Sequence, residues 1–138
     1  MNPSKLRITR AKELINGTKE YDILINKTSE FSLTNGDVKS KTLDPGTYNI
    51  QAKMGWRGSM VKSVTINPGE TTQLKISNTK GFNQLNIMIF VVYFIFATGV
   101  AFGDWDNKYV YIMLGVTGLK VILDYTWLKN KYLTIEHQ

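Results

Sequence analysis

The chain has 138 residues, with 17 Lys+Arg against 11 Asp+Glu, no Cys, one His and 43% hydrophobic residues, which suits one compact domain plus an appendage. The missing cysteines exclude a disulfide framework, a thiolate nucleophile and Cys-ligated zinc or iron–sulfur sites. The excess charge is confined to one part, since residues 1–83 carry 13 basic and 7 acidic groups and residues 84–138 carry four of each.

The first ten residues are basic, but no apolar stretch follows them, so no cleavable secretion signal is expected. Short segments rich in β-branched and aromatic residues then recur about every ten positions, the spacing of a small all-β sandwich. Seven strands are expected, at 5–10, 20–26, 29–33, 38–43, 47–53, 60–66 and 71–77. All are expected to pair antiparallel. Tyr21, Ile23 and Ile25 alternate with polar neighbours, as do Tyr48, Ile50 and Ala52, then Val64 and Ile66, then Leu74 and Ile76. Period two assigns each set to one face of its strand. Between the strands lie Asn16-Gly17, Asn35-Gly36, Asp44-Pro45-Gly46 and Asn67-Pro68-Gly69. Proline followed by glycine predicts a type II turn in the last two.

The stretch Tyr21-Asp-Ile-Leu-Ile-Asn26, then Leu43-Asp-Pro-Gly-Thr-Tyr-Asn-Ile-Gln-Ala-Lys53, then Ile66-Asn-Pro-Gly-Glu-Thr71 resembles the PEGA-type and carboxypeptidase regulatory-like sandwiches. The shared features are an "L-x-P-G-x-Y/H-x-I/V" strand and a late "x-x-G-E" turn, across roughly residues 5–77. The resemblance implies a non-catalytic accessory module of the kind attached to other components, often at membranes or envelopes. It carries over no catalytic residue.

From Gly81 to Gly103 there is no charged residue, and Leu85–Gly103 is almost wholly apolar. About 20 such residues cross a hydrocarbon core of about 30 Å. A second apolar segment, Tyr109–Leu128, follows the short polar connector Asp104-Trp-Asp-Asn-Lys108 but contains Lys120 and Asp124. The expected architecture is therefore a sandwich over 1–80, a transmembrane hairpin over 81–129 with helices near 84–103 and 109–128, and a short tail over 130–138. Trp105, Tyr109 and Tyr111 at one end and Tyr125 and Trp127 at the other fit interfacial aromatic belts. Lys75 and Lys80 before the first span, with Lys129 and Lys131 after the second, predict a multi-pass protein of the cell membrane with both termini cytoplasmic. Two buried helices of a soluble α+β protein are the competing expectation. Residues 87–97 offer only Tyr93 to the polar stripe such a helix keeps.

Lys120 and Asp124 share a helix face at a spacing of four, so they pair as an intramembrane site or snorkel toward the nearby end. Gly99 and Gly103 form a GxxxG pattern suited to close helix packing, either within the hairpin or between copies, and Gly115 and Gly118 offer similar space. Met54-Gly-Trp-Arg-Gly-Ser-Met60 presents Trp56 and Arg57 between two strands, and both are residue types enriched in binding hot spots. The alternative is that Trp56 folds over the core or touches the bilayer.

No paired histidines, GxxxxGK[ST] loop or GxGxxG turn occurs, and the single His137 is the second-to-last residue, where the rigid geometry of a triad is not expected. The chain thus reads as a non-enzyme without cofactor, metal or catalytic residue. Its partners are a lipid bilayer and either further copies or a larger membrane complex. Nucleic acid is not expected, because the basic residues are scattered rather than interleaved with stacking aromatics. A basic domain beneath an anionic leaflet accounts for the charge more simply. The functional expectation is a non-catalytic binding, sensing or scaffolding module, or alternatively a small oligomeric channel or transporter-like subunit built on the hairpin, or an accessory subunit of a larger membrane complex.

Overall fold

The computed structural model describes residues 3–103, 106 and 108–138, except for the side chains of 80–83 and 85. Trp105 and most of the connector at 104–107 lie outside the described residues, as does the side chain of Lys80. The chain divides into one unit made of Met1–Thr79 with Asn130–Gln138, and a second made of Lys80–Lys129.

Among the described residues, the first unit holds nine strands: β1 (Lys5–Arg10), β2 (Tyr21–Ile25), β3 (Thr28–Leu33), β4 (Val38–Thr42), β5 (Gly46–Met54), β6 (Arg57–Gly58), β7 (Lys62–Ile66), β8 (Thr71–Asn78) and β9 (Leu133–His137). One sheet runs β4-β1-β8-β9, and the other runs β3-β2-β5, with β6 and β7 both on the far edge of β5. The alternation read from the sequence is the alternation that is buried. Leu6 and Ile8, Tyr21, Ile23 and Ile25, Ile50 and Ala52, Val64 and Ile66, and Leu74 and Ile76 form one core between the two sheets.

Three expectations are corrected. Seven antiparallel strands become nine, and β1 runs parallel to β8, from Lys5 opposite Thr71 to Arg10 opposite Ile76. A parallel neighbour requires a long crossover, here all of β2 to β7, and local periodicity carries no trace of it. The segment expected as a tail over 130–138 contains β9, which pairs antiparallel with β8 from Leu74–His137 to Asn78–Leu133. Leu133 and Ile135 thereby join the core, and His137 lies in a strand. Of the two Pro-Gly turns, only the second has the expected glycine geometry. Gly69 has φ 72° and Glu70 N–H donates to Asn67 O at 3.3 Å, whereas Gly46 is near-extended at φ 159° and already begins β5.

A buried cation completes this core. Arg10 occupies the inward position after Leu6 and Ile8 and is 1% exposed. Its guanidinium donates to the carbonyls of Lys19 (2.5 Å), Leu33 (3.0 Å) and Asn16 (2.9 Å) and lies 3.6 Å from the centre of the Tyr21 ring. The Tyr21 hydroxyl donates to Glu13 at 2.5 Å, and Glu13 also accepts the backbone N–H of Asn78. This network pins the 11–20 loop across the end of the core. Burial first, and then the bond to Glu13, push the Tyr21 phenol above its ordinary pKa.

The second unit contains α1 (Lys80–Phe102) and α2 (Lys108–Leu123), the latter continued by a π-helical turn at Asp124–Leu128 and a 3-10 turn at Lys129–Lys131. The helices run antiparallel. Tyr93 and Thr117 share a hydroxyl hydrogen bond of 2.6 Å, and the Phe96 and Tyr109 rings meet at 6.3 Å. Lys108–Lys131 is long and apolar enough to cross a membrane by length and composition, while Asn86–Phe102 is a shorter apolar helix.

Candidate functional site

Chain geometry alone presents Trp56. After β5 the chain reverses through the two-residue loop Gly55-Trp56, because Met54 pairs directly with Arg57. Gly55 takes φ 60° at the first loop position, as a type II′ hairpin turn demands. On β6, a Cβ at Gly58 would stand 2.6 Å from the carbonyl oxygen of Ala52, so a residue without a side chain is needed for β6 to lie against β5. Trp56 is thereby carried at the turn, 44% exposed.

Arg57 follows and lies among aromatic rings. Its guanidinium carbon is 4.6 Å from the centre of the Trp56 ring and 4.1 Å from that of Tyr132. The two rings meet edge to face at 6.2 Å, the arrangement their quadrupoles favour. Such cation–π contacts each contribute about 0.5–2 kcal/mol, more as water is excluded. Among the described residues no carboxylate pairs with Arg57, and its Nε is buried without a hydrogen-bond partner.

Tyr132 belongs to the segment that returns from the helices, so the Trp56 loop holds that return. Tyr132 N–H donates to Gly58 O at 3.1 Å, Ser59 bridges Leu133 in parallel, and the Lys62 ammonium donates to Ile135 O at 2.9 Å. The edge of one sheet is stitched to the edge of the other at this corner. Beside it lies a groove of about 380 Å³ whose lining includes Met60, Val61, Lys62, Thr79, Asn130 and Lys131. Among the described residues no acidic side chain is part of that lining. Met60 and Val61 are 67% and 59% exposed. Thr79 and Asn130 are the residues at which the chain leaves and re-enters the first unit.

In the second unit, Lys120 donates to Asp124 Oδ2 at 2.6 Å, and Asp124 is buried. The pair straddles the passage from α-helix to π-helix, since Asp124 is the first residue of the π turn. Gly99 and Gly103 are joined by the helical bond from Gly103 N–H to Gly99 O at 3.0 Å. A Cβ added at Gly115 or Gly118 would meet nothing within 4 Å among the described residues.

Sequence reasoning singled out Trp56, Arg57, Lys120 and Asp124, and the first two are joined in one cluster while the last two form one ion pair. It missed Tyr132 as the neighbour of Trp56 and the groove lined by Met60, Val61 and Lys62. The signal for Tyr132 was the apolar alternation of Leu133 and Ile135, hidden behind a long helical segment.

A scan against protein-family models and a search of curated proteins gave no match to this chain.

Proposed function

We propose that this chain is an integral membrane protein in which a two-helix hairpin anchors a β unit at the bilayer surface as a non-catalytic binding, sensing or scaffolding module. The observation that carries this reading is the pairing of β8 with β9. The helical segment is an insertion between two hydrogen-bonded neighbours, so it starts and ends on the same side of any membrane. Such an insertion crosses an even number of times. Two crossings fit its two apolar helices.

Exposure supports the same reading. Phe90, Phe94, Leu114 and Ile122 are all exposed, α2 has no buried residue, and only 6% of the apolar window in Lys108–Lys131 is buried. A core helix of a soluble protein buries most of such a face, and an apolar surface this continuous calls for lipid or another chain to cover it. From Lys108 to Lys131 the helix spans roughly 36 Å at 1.5 Å per residue, against about 30 Å of hydrocarbon. The positive-inside bias of Lys75, Lys80, Lys129 and Lys131 argues for both termini on the cytoplasmic side. The resemblance to PEGA-type modules agrees with a non-catalytic role at a membrane.

Alkaline carbonate extraction tests the anchor. Retention in the membrane pellet is expected, and release into the supernatant would overturn the reading. Because the chain has no cysteine, single cysteines near the two termini report orientation without background labelling, and both are expected to react only once the cytoplasmic face is opened.

A second reading, an oligomeric channel or transporter-like subunit, draws support from the buried Lys120–Asp124 pair and the open surface at Gly115 and Gly118. Replacing Lys120 and Asp124 together by Leu separates the two, since ion or solute flux across vesicles would vanish while insertion persists.

A further inference from the structure

The β unit exposes Leu14, Ile15 and Val38 as well as the corner at Trp56, Met60 and Val61. Three large apolar side chains project to solvent within six positions of the chain. Arg57 lies against Trp56, Lys62 and Lys131 line the adjoining groove, and among the described residues no Asp or Glu does. The same groove is lined by Thr79 and Asn130, the two points at which the chain departs for the helices and returns. This corner is therefore the end of the β unit tethered to the hairpin.

Resting on the membrane reading above, we infer that the Trp56–Val61 corner docks on the surface of an anionic bilayer. The occupant follows from the chemistry. Trp at a turn tip has an apolar ring with a polar N–H and suits the headgroup level, while Met60 and Val61 reach the acyl boundary. The basic groups complement lipid phosphates and carboxylates, and among the described residues no acidic side chain lines the groove to oppose them. Arg57 contributes a second device. Its stacking on Trp56 and Tyr132 keeps the charge at the apolar tip while the ring faces satisfy it, so the loop can approach lipid without a carboxylate counter-ion. Tethering raises the effective concentration of the corner at the membrane, so a contact too weak to recruit a free domain suffices to orient this one.

The test uses the full chain reconstituted in phosphatidylcholine vesicles with and without phosphatidylserine. Met60→Cys carries a polarity-sensitive fluorophore. Glu70→Cys serves as the control, because Glu70 and Thr79 flank opposite ends of β8, roughly 30 Å apart at 3.3 Å per residue. The expected result is a blue-shifted probe at position 60, quenched by lipid-borne quenchers, in phosphatidylserine vesicles only, with the probe at position 70 unchanged. Lys131→Gln should lower the docked-to-undocked ratio roughly fivefold. With Lys131 in place, added salt should release the corner over the range set by a Debye length of about 10 Å at 0.1 M. A chain that resists carbonate extraction but keeps the probe at position 60 in water overturns this inference and leaves the membrane anchor standing. Equal burial in neutral vesicles overturns the anionic preference. Protection that grows with the protein-to-lipid ratio and ignores lipid quenchers identifies a second copy of the chain as the occupant, again overturning it. A chain released by carbonate overturns both readings together.

Discussion

The hydroxyls of Thr79 and Thr134 are 2.8 Å apart although 55 positions separate them in the chain, and Thr79 N–H donates to Tyr132 O at 3.0 Å. The residues that bracket the helical insertion are thus locked side by side. β8 and β9 form a β-hairpin whose loop has been replaced by two helices.

Replacing residues 80–129 by a short Asn-Gly-containing turn should therefore yield a water-soluble β unit that unfolds cooperatively. Circular dichroism and denaturant titration check this. The further change Ile135→Ala, at a buried β9 position, should cost about 2–4 kcal/mol. A β unit indifferent to Ile135 would mean that β9 does not belong to the cooperative core.

Arg10→Lys retains the charge but not the planar fork that reaches three carbonyls at once. A lysine there leaves buried acceptors unmet and forfeits the stack on Tyr21, so a loss of about 2–3 kcal/mol is expected. Faster hydrogen exchange in the 11–20 loop should accompany it.

Stability should fall as pH rises through the alkaline range because of Tyr21. Its folded pKa lies above the ordinary 10.0, so above about pH 10 the unfolded chain has lost a proton that the folded chain keeps. The contribution is complete below the unfolded pKa and declines above it by up to about 1.4 kcal/mol per pH unit. Tyr21→Phe should remove this part of the slope, so the stability gap between the two proteins narrows with rising pH. Parallel curves for the two would refute the assignment.

Lys120 and Asp124 should show coupling in a double-mutant cycle. Asp124→Leu alone strands a cation beside apolar residues, while the double change to Leu removes both charges, and a coupling of about 1–3 kcal/mol is expected. Unfolding of the reconstituted chain under denaturant measures it. Additive single changes would mean that each group is solvated independently at the helix end.

Much of the β unit was legible because its strands alternate. Tyr21, Ile23 and Ile25, or Leu74 and Ile76, declare their buried face through period two, and nearly every core position of β2, β5, β7 and β8 follows from that pattern. Arg10 did not, since a charged residue on the inner face breaks the alternation until its three carbonyl partners are known. β6 was beyond reach because two residues have no period. β9 follows a long helical segment, and its partner β8 lies on the other side of the helices. The tight turn between β2 and β3 was also hidden. Asn26 and Lys27 both take positive φ, 49° and 71°, but Lys is not a residue that signals such a turn. At the candidate site, Trp56 and Arg57 stood out by composition and local glycines, whereas Tyr132 joined them only through contacts made across the fold.

The position of β9 also imposes an order on biogenesis. During synthesis β8 emerges before the helices and β9 after them, so the edge of β8 stays open while the apolar pair is being made. Synthesis of both helices precedes completion of the sheet, and whatever shields Leu74 and Ile76 in that interval guards against strand-edge association of nascent chains. Closure of the sheet by β9 therefore waits on the whole helical segment.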